Sequence, residues 1–429
     1  MYLIPQLVKW NILIIMSRRK IKLCLVSPTL YPPRGGAELR FLSYLSGLRK
    51  RDIDIQILSG TPKAKKITEE DCTQGWYQVP PGTIIQTEPF NGIPIHWVRL
   101  PDKSGKERVA AFDKALLDYC QCSEYRPDVI QLIEPLSPRS APSLFRLKKL
   151  GIVRTFAYTL PYKLPNNPLK RVFRLRALRI LYRQLDCVVT SSVETRALAF
   201  GLGLKNRIEA IPNGVNLKRF HPVSAEDKRA LRASLGLGNV EKLLITVGTI
   251  IPRKGIDLLL EAWIPLARRF PDLHLLIVGS RADKNESKLH AFHQKLERLI
   301  ADSGAEDRVH FTGKVKNVEK YLQASDLFAF ASEREGMGNV VLEAMVTKLP
   351  VVMTPFIGLP SDFGQPGQQY LLAKRNPASF AEAITDLLVN DERRNKLAQN
   401  GREWIKETMD VESVLDRYAD LYHELAGYK

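Results

Sequence analysis

The chain has 429 residues, 45% of them hydrophobic and 26% charged, with five cysteines and a formal net charge of +18. That length is too great for one ordinary core and points to two domains of roughly 200 residues each. Five scattered cysteines exclude a disulfide framework, Cys120 and Cys122 are spaced wrongly for a zinc pair or a redox motif, and a reducing compartment is the default expectation.

The charge is unevenly divided. Residues 1–213 hold 34 Lys+Arg against 17 Asp+Glu, and residues 214–429 hold 30 against 29. The excess in the first half would attract an anionic partner: nucleic acid, an anionic bilayer or a phosphorylated acceptor. Nucleic acid is the weakest of these, because charge alone points to it and no recognised binding module is present. The seven histidines form no metal-ligand pattern, and His290 and His293, able to share a helix face, read as solvated surface.

In chain order, the apolar run 3–16 is short of the roughly 20 residues of a membrane span, and Lys9 and Asn11 interrupt it. Arg18, Arg19 and Lys20 follow the run, whereas a signal peptide carries its basic residues first. Two readings remain open: an interfacial anchor, or an extension ahead of a true start at Met16. The first core strand is IKLCLVS (21–27), followed by a loop with Pro32, Pro33, Gly35 and Gly36. A helix starts near Ala37, with Leu39, Leu42, Leu45 and Leu48 at helical spacing. Strands are expected at 54–60, 128–133, 153–158 and 187–192, with helices between them. After IPNGVN (211–216) a second strand–helix series starts, with strands at 243–249, 273–280, 309–313, 327–332 and 350–355. Two such series indicate two doubly wound α/β domains, with the Pro-Asn-Gly turn marking the boundary near residue 213.

In doubly wound sheets ligands bind beyond the carboxyl ends of the strands, and three loops there carry chemistry. PRKG (252–255) sets Arg253 and Lys254 beside a helix N-terminus, a combination suited to a diphosphate. EREGMGNVVLEAM (333–345) puts Gly336 and Gly338 where backbone can approach a ligand, and a helix starting near Gly338 presents N–H groups to phosphate. Asn339 and Glu343 share a face of that helix. Glu343 is placed to accept from a ribose diol, and Glu335 to reach sugar hydroxyls. SPTLYPPRGGAE (27–38) brings Gly35 and Gly36 to the same cleft, without the GxGxxG dinucleotide fingerprint.

Together with VGTIIPRKGIDLLLEAW (247–263), LLIVGS (275–280) and VHFTGKV (309–315), these segments resemble a retaining glycosyltransferase of family 4, which has the GT-B fold. The resemblance runs from about residue 21 to the C-terminus, and its most specific piece is the E-x7-E pair, Glu335 and Glu343. It implies that a nucleotide-diphosphate sugar is the donor. Arg253 and Lys254 would hold its diphosphate, with Gly338, Asn339 and Val340 at the helix start. Glu335 would contact the transferred sugar, Glu343 the ribose, and Gly35 and Gly36 would lie beneath the phosphates near the acceptor. No divalent metal and no separate cofactor are expected. The implied domains are an extension (1–20), an acceptor domain (21–213), a nucleotide-sugar domain (214–405) and a C-terminal helix (406–429), one placement of which is back on the first domain.

Two stretches depart from the family pattern. Where members have HxHEP, this chain reads QLIEP, with Gln131 and Ile133 at the two His positions and Glu134 and Pro135 kept. The later glycine-rich loop reads FIGLPSD (356–362), with one glycine where two are common.

The expected activity is transfer of a hexosyl unit, with anomeric retention, to a glycan or lipid-linked acceptor. The alternatives are a GT-B relative such as a sugar-nucleotide epimerase or a phosphorylase, and a non-catalytic donor-binding subunit. The segment 170–184 places Phe173, Ala177 and Ile180 near one stripe, Val172, Leu175 and Leu178 near another, and five arginines over the rest. It reads either as a core helix with a basic outer face or as a surface for an anionic bilayer. The expected location is the cytoplasm, peripheral at the inner face of the membrane.

Overall fold

The computed structural model describes residues 20–28, 36–61, 79–102, 105–122, 124–133, 136–158, 167–192, 196–197, 206–238, 240–281 and 287–427. The apolar run 3–16, Gly35 and the Glu134-Pro135 pair lie outside the described residues.

Period-two strands with both faces apolar must be covered on both sides. Strand β1 (Ile21–Ser27) shows this directly: Ile21, Leu23 and Leu25 enter one core, while Cys24 and Val26 enter another. Its sheet also contains β2 (Ile53–Gly60), β3 (Ile84–Phe90), β4 (Ile93–Val98), β5 (Val129–Leu132), β6 (Val153–Tyr158), β7 (Cys187–Thr190) and β8 (Arg207–Ala210). The order is β3-β4-β2-β1-β5-β6-β7-β8, parallel except for the β3–β4 hairpin. Helix α1 (Gly36–Arg49) covers one face. Helices α2 (Gly105–Cys122), α3 (Ala141–Lys149) and α4 (Pro168–Tyr182) cover the other.

The second sheet is built from β9 (Lys242–Val247), β10 (Leu273–Val278), β11 (Val309–Gly313), β12 (Leu327–Phe330), β13 (Val351–Met353) and β14 (Leu371–Leu372). It is parallel throughout, in the order β11-β10-β9-β12-β13-β14. Around it lie α5 (Ala225–Ser234), α6 (Ile256–Arg269), α7 (Ser287–Ser303), α8 (Val318–Ala324), α9 (Asn339–Val346), α10 (Pro377–Val389) and α11 (Asp391–Thr408). The two doubly wound α/β domains are therefore present, with two differences from the reading by chain order. Several expected strands run two residues too far, because Thr249, Ser280, Ser332 and Pro355 leave the ladder to form loops at the strand ends. The hairpin and the short strands β8 and β14 add to the expected strands. The hairpin turns on Asn91 and Gly92, at φ 50° and 75°, the backbone a two-residue turn demands.

The last helix, α12 (Val411–Leu425), does not belong to the second core. Its Val414, Leu415, Tyr418 and Tyr422 are buried with Phe41 and Tyr44 of α1. Approach is so close that a Cβ on Gly47 would lie 2.3 Å from Leu415 Cδ1. Arg51 adds ion pairs to Glu412 and Asp416 at 3.0 and 2.7 Å. The chain therefore crosses between domains twice, and the crossings pair with each other. Val215 N donates to Met409 O at 2.8 Å, and Val411 N donates to Val215 O at 3.0 Å.

Candidate functional site

In the second sheet the chain winds outward from β9 in both directions, so the gap between β9 and β12 is the topological switch point where open α/β sheets bind ligands. Both basic and acidic candidate loops open there. After β9 the chain makes a 3-10 turn, Pro252–Lys254, closed by Gly255 at φ 67° and ψ 29°. A Cβ on Gly255 would fall 2.0 Å from Ala331 O, so only glycine lets the turn press against the end of β12. Glu333 N donates to Arg253 O at 2.7 Å and ties the two loops together. Arg253 is half exposed, whereas the Lys254 side chain is only 13% exposed and lies over the Phe330 ring, 5.9 Å from its centre.

Three donors converge on one oxygen. Lys254 Nζ at 2.6 Å, Arg253 Nη1 at 3.2 Å and Ser332 Oγ at 2.6 Å all reach Glu335 Oε1. The loop is braced from the far side, where Glu335 N donates to Ile357 O at 3.0 Å and Ile357 N to Glu333 O at 2.8 Å. FIGLPSD thus acts as backbone support for Glu335. Gly338, at φ 71° and ψ 50°, turns the chain into α9, whose first N–H groups have no acceptor within the helix. Val340 is half-buried and packs on the core beneath; Asn339 Oδ1 accepts from Asn213 Nδ2 at 2.5 Å.

Glu343 sits one turn into α9 and carries no hydrogen bond on its carboxylate among the described residues. Burial pushes this carboxyl up to about 7; the Arg219 charge opposes the shift and Glu319 adds to it. Arg219 is itself held by Glu319 through Nη2 at 2.9 Å. The structure therefore joins Arg253, Lys254 and Glu335 at the strand ends, with Gly338, Asn339, Val340 and Glu343 following on the turn into α9 and its first turns. From the other domain, α1 begins at Gly36 and reaches the same place through Arg40, which donates to Asn213 Oδ1.

The departures at Gln131 and Ile133 have a structural content. Gln131 is buried, and its Oε1 accepts from Thr155 Oγ1 at 2.7 Å and from Tyr422 OH at 3.0 Å. Both acceptor sites of that oxygen are filled, and one of them fastens α12 to the sheet. Ile133 lies in the apolar core with Leu25 and Tyr422. Neither side chain is available to an acceptor. Nothing in the sequence marks Arg40, Ser332 or Arg219 as site residues, and the Pro-Asn-Gly turn around Asn213 reads there as a domain boundary.

Two family models divide the chain between them. The first, described as glycosyl transferase 4-like domain, matches residues 35–214, and the second, glycosyl transferases group 1, matches residues 227–404. The chain belongs to the family 4 type of GT-B glycosyltransferases. This glycosyltransferase is 28% identical over 293 residues to the lipopolysaccharide core biosynthesis glycosyltransferase LpsE of Rhizobium meliloti, covering 67% of this chain and 79% of that one. It is 34% identical over 192 residues to the mannosylfructose-phosphate synthase of Agrobacterium fabrum, covering 43% and 41% of the two chains. Among solved structures it resembles the sucrose-phosphate synthase of Thermosynechococcus elongatus, with TM-score 0.71, 21% identity and coverage of 95% and 100%. It also resembles Anabaena Alr3699/HepE in complex with UDP and glucose, with TM-score 0.70, 19% identity and coverage of 94% and 100%. Among the described residues no helix of this transferase is long and apolar enough to cross a membrane.

Proposed function

We propose that the protein moves a hexosyl unit from a nucleotide-diphosphate sugar to an acceptor hydroxyl, with retention at the anomeric carbon, in the synthesis of a glycan or glycolipid. The observation that carries this reading is the convergence of Lys254, Arg253 and Glu335 at a switch point beside the N-terminus of α9. The UDP and glucose bound by Alr3699/HepE and the lipopolysaccharide role of LpsE support it. In this reading the two cations and the helix end hold the diphosphate, Glu343 accepts from the ribose diol, and Glu335 meets the sugar. Gly36 starts the opposing helix close to the phosphates. Fixed positive charge offsets the charge of the departing diphosphate, so no divalent metal is invoked. With no polar side chain at Ile133, the departing phosphate oxygen takes the acceptor proton, and the protein supplies orientation and electrostatic stabilisation.

The test is a panel of UDP-, GDP- and ADP-sugars, first as ligands in a thermal-shift assay and then as donors for the purified chain with a glycan or glycolipid acceptor. Stabilisation by one of them and a product with the donor's anomeric configuration are expected. An inverted product would overturn retention. Donor release without transfer would favour the epimerase alternative, and a chain that binds donor yet transfers only with a second subunit would be a donor-binding partner. The buried Ile133 is the observation that keeps the last reading in play.

The same reading puts the protein at an anionic bilayer surface in the cytoplasm. On α4, Leu169, Val172, Phe173 and Ile180 are exposed, Leu169 and Phe173 by 71% and 70%, among Arg171, Arg174, Arg176 and Arg179. On the neighbouring α3, Phe145 is also exposed, with Lys149 Nζ 5.0 Å from its ring centre. An apolar ridge set in basic side chains is the combination that lies on anionic lipid.

A further inference from the structure

One chain of hydrogen bonds runs through both domains and the segment between them. Arg40 Nη1, on α1, donates to Asn213 Oδ1, and Asn213 Nδ2 donates to Asn339 Oδ1 at 2.5 Å. A side-chain amide can face either way and takes its orientation from its partners. Here the first partner leaves no choice, because a guanidinium only donates. Arg40 must meet the oxygen of Asn213, so the NH2 of Asn213 faces Asn339. Asn339 must then answer with its own oxygen. Its NH2 group is left over, among the described residues, as a pair of donors at the first residue of α9, next to the N–H groups of Asn339 and Val340, which have no acceptor within the helix.

The segment carrying Asn213 is held firmly enough to transmit that polarity. Asn213 is buried, and its backbone N lies 3.4 Å from Met337 Sδ, next to Gly338. Gly214 N donates to the Tyr44 hydroxyl at 2.7 Å, one helical turn beyond Arg40. The Arg40 guanidinium lies over the Phe41 ring, 4.8 Å from its centre, and its Nε has no partner among the described residues. Among the described residues, Asn213 is therefore the one hydrogen-bond acceptor of the Arg40 guanidinium.

We propose that Arg40 is a positioning residue. Through Asn213 it fixes the amide of Asn339 with its NH2 toward the donor diphosphate, so that a nucleotide diphosphate binds best when the first domain is seated on the second. This rests on the donor-site reading given under Proposed function. Arg40 would contribute to donor affinity without touching the nucleotide, and that contribution would vanish whenever the domains part.

The experiment is calorimetric titration of UDP, GDP and ADP into the full-length chain and into Lys254→Ala, Arg40→Ala, Arg40→Lys and Asn213→Ala, with the thermal midpoint of each variant measured alongside. Wild type is expected to bind one of the three nucleotides, and Lys254→Ala to weaken it. Arg40→Ala and Asn213→Ala should each weaken the same nucleotide roughly five- to ten-fold, the size of one lost hydrogen bond. Arg40→Lys should recover part of the loss, because an ammonium also only donates. Binding of the matching nucleoside, which has no phosphates, should be equal in wild type and all Arg40 and Asn213 variants. Wild-type nucleotide affinity in Arg40→Ala and Asn213→Ala, with loss in Lys254→Ala, would overturn the relay and leave the donor site standing. Loss in Arg40→Ala but not in Asn213→Ala would mean that Arg40 touches the diphosphate itself, which also overturns the relay. An undiminished Lys254→Ala would remove the donor-site reading and the relay with it. If Arg40→Ala does not fold, Arg40→Lys and Asn213→Ala decide by the same criteria.

Discussion

Burial holds the Glu343 carboxyl at about 7, whereas Glu335 is surrounded by three donors. The two therefore answer differently to the same change. Glu343→Gln should weaken even a bare nucleoside diphosphate, because the ribose loses a charged acceptor. Glu335→Gln should spare the nucleotide and lower turnover, which kinetics beside calorimetry will separate. The pH dependence has a definite sign. The folded pKa of Glu343 is raised from 4.5 to about 7, so its neutral form favours the folded state fully below pH 4.5, and that contribution is lost as pH rises to about 7. The thermal midpoint of Glu343→Gln relative to wild type should accordingly climb between those pH values and level off above them. Nucleotide affinity should run the other way, rising through pH 7 in wild type and staying flat in the variant. Arg253→Ala and Lys254→Ala should each cost about 1.5–3 kcal/mol of nucleotide binding. Lys254 belongs at the upper end because it is sheltered, and half-exposed Arg253 at the lower end because water screens it. Arg253, Lys254 and Glu335 are legible in the sequence because each stands beside a glycine turn after an apolar strand, and Glu343 because it lies one turn into the helix that Gly338 opens. Arg40 and Asn213 are not, because their meaning comes from a hydrogen bond between residues 173 positions apart.

Helix α4 shows what periodicity leaves undecided. The sequence places two apolar stripes on it, and either could have faced the core. In the structure Leu181 and Tyr182 are buried, with Leu178 packed beside them, and Val172, Phe173 and Ile180 face outward. The outward stripe should bind vesicles of anionic lipid in preference to neutral lipid, measured by sedimentation. Binding should fall with salt, which screens charges beyond about 8–10 Å at physiological ionic strength. Changing Arg171, Arg174, Arg176 and Arg179 together to Gln should abolish the preference; each basic residue near such a surface is worth on the order of 1 kcal/mol. Equal partitioning to both lipids would assign the helix to a soluble anionic acceptor instead. Other elements escaped the sequence reading for simple reasons. Strands β8 and β14 have four and two residues, too few to show a period. The β3–β4 hairpin does carry a signal in the sequence, the Asn91-Gly92 turn.

At the scale of the molecule, the second domain is an insertion between β8 and α12, and α12 completes the first domain. Tyr418→Ala should destabilise the first domain by about 3–5 kcal/mol, the usual cost of removing a buried aromatic ring, as read by denaturant unfolding. Removing residues 411–429 should unfold the first sheet while the second domain keeps its helical and strand signals, since α12 contributes to the first core and not to the second. The Gln131–Tyr422 contact would be lost in the same step. The two doubly wound domains are legible from the succession of apolar strands. The return of the last helix to the first domain could only be offered as one placement, because α12 is an ordinary amphipathic helix whose partner lies hundreds of residues away.

That return has a consequence in time as well as in space. A ribosome adds about 5–20 residues per second, so the roughly 200 residues between β8 and α12 take on the order of 10–40 s to make. Throughout that interval the face of α1 with Phe41, Tyr44 and Leu45 has been synthesised and its permanent cover has not. The second domain, contiguous in the chain, can close its own core first. The domain that emerges first is therefore the one that finishes last, and it is the nascent first domain that would need a chaperone's protection.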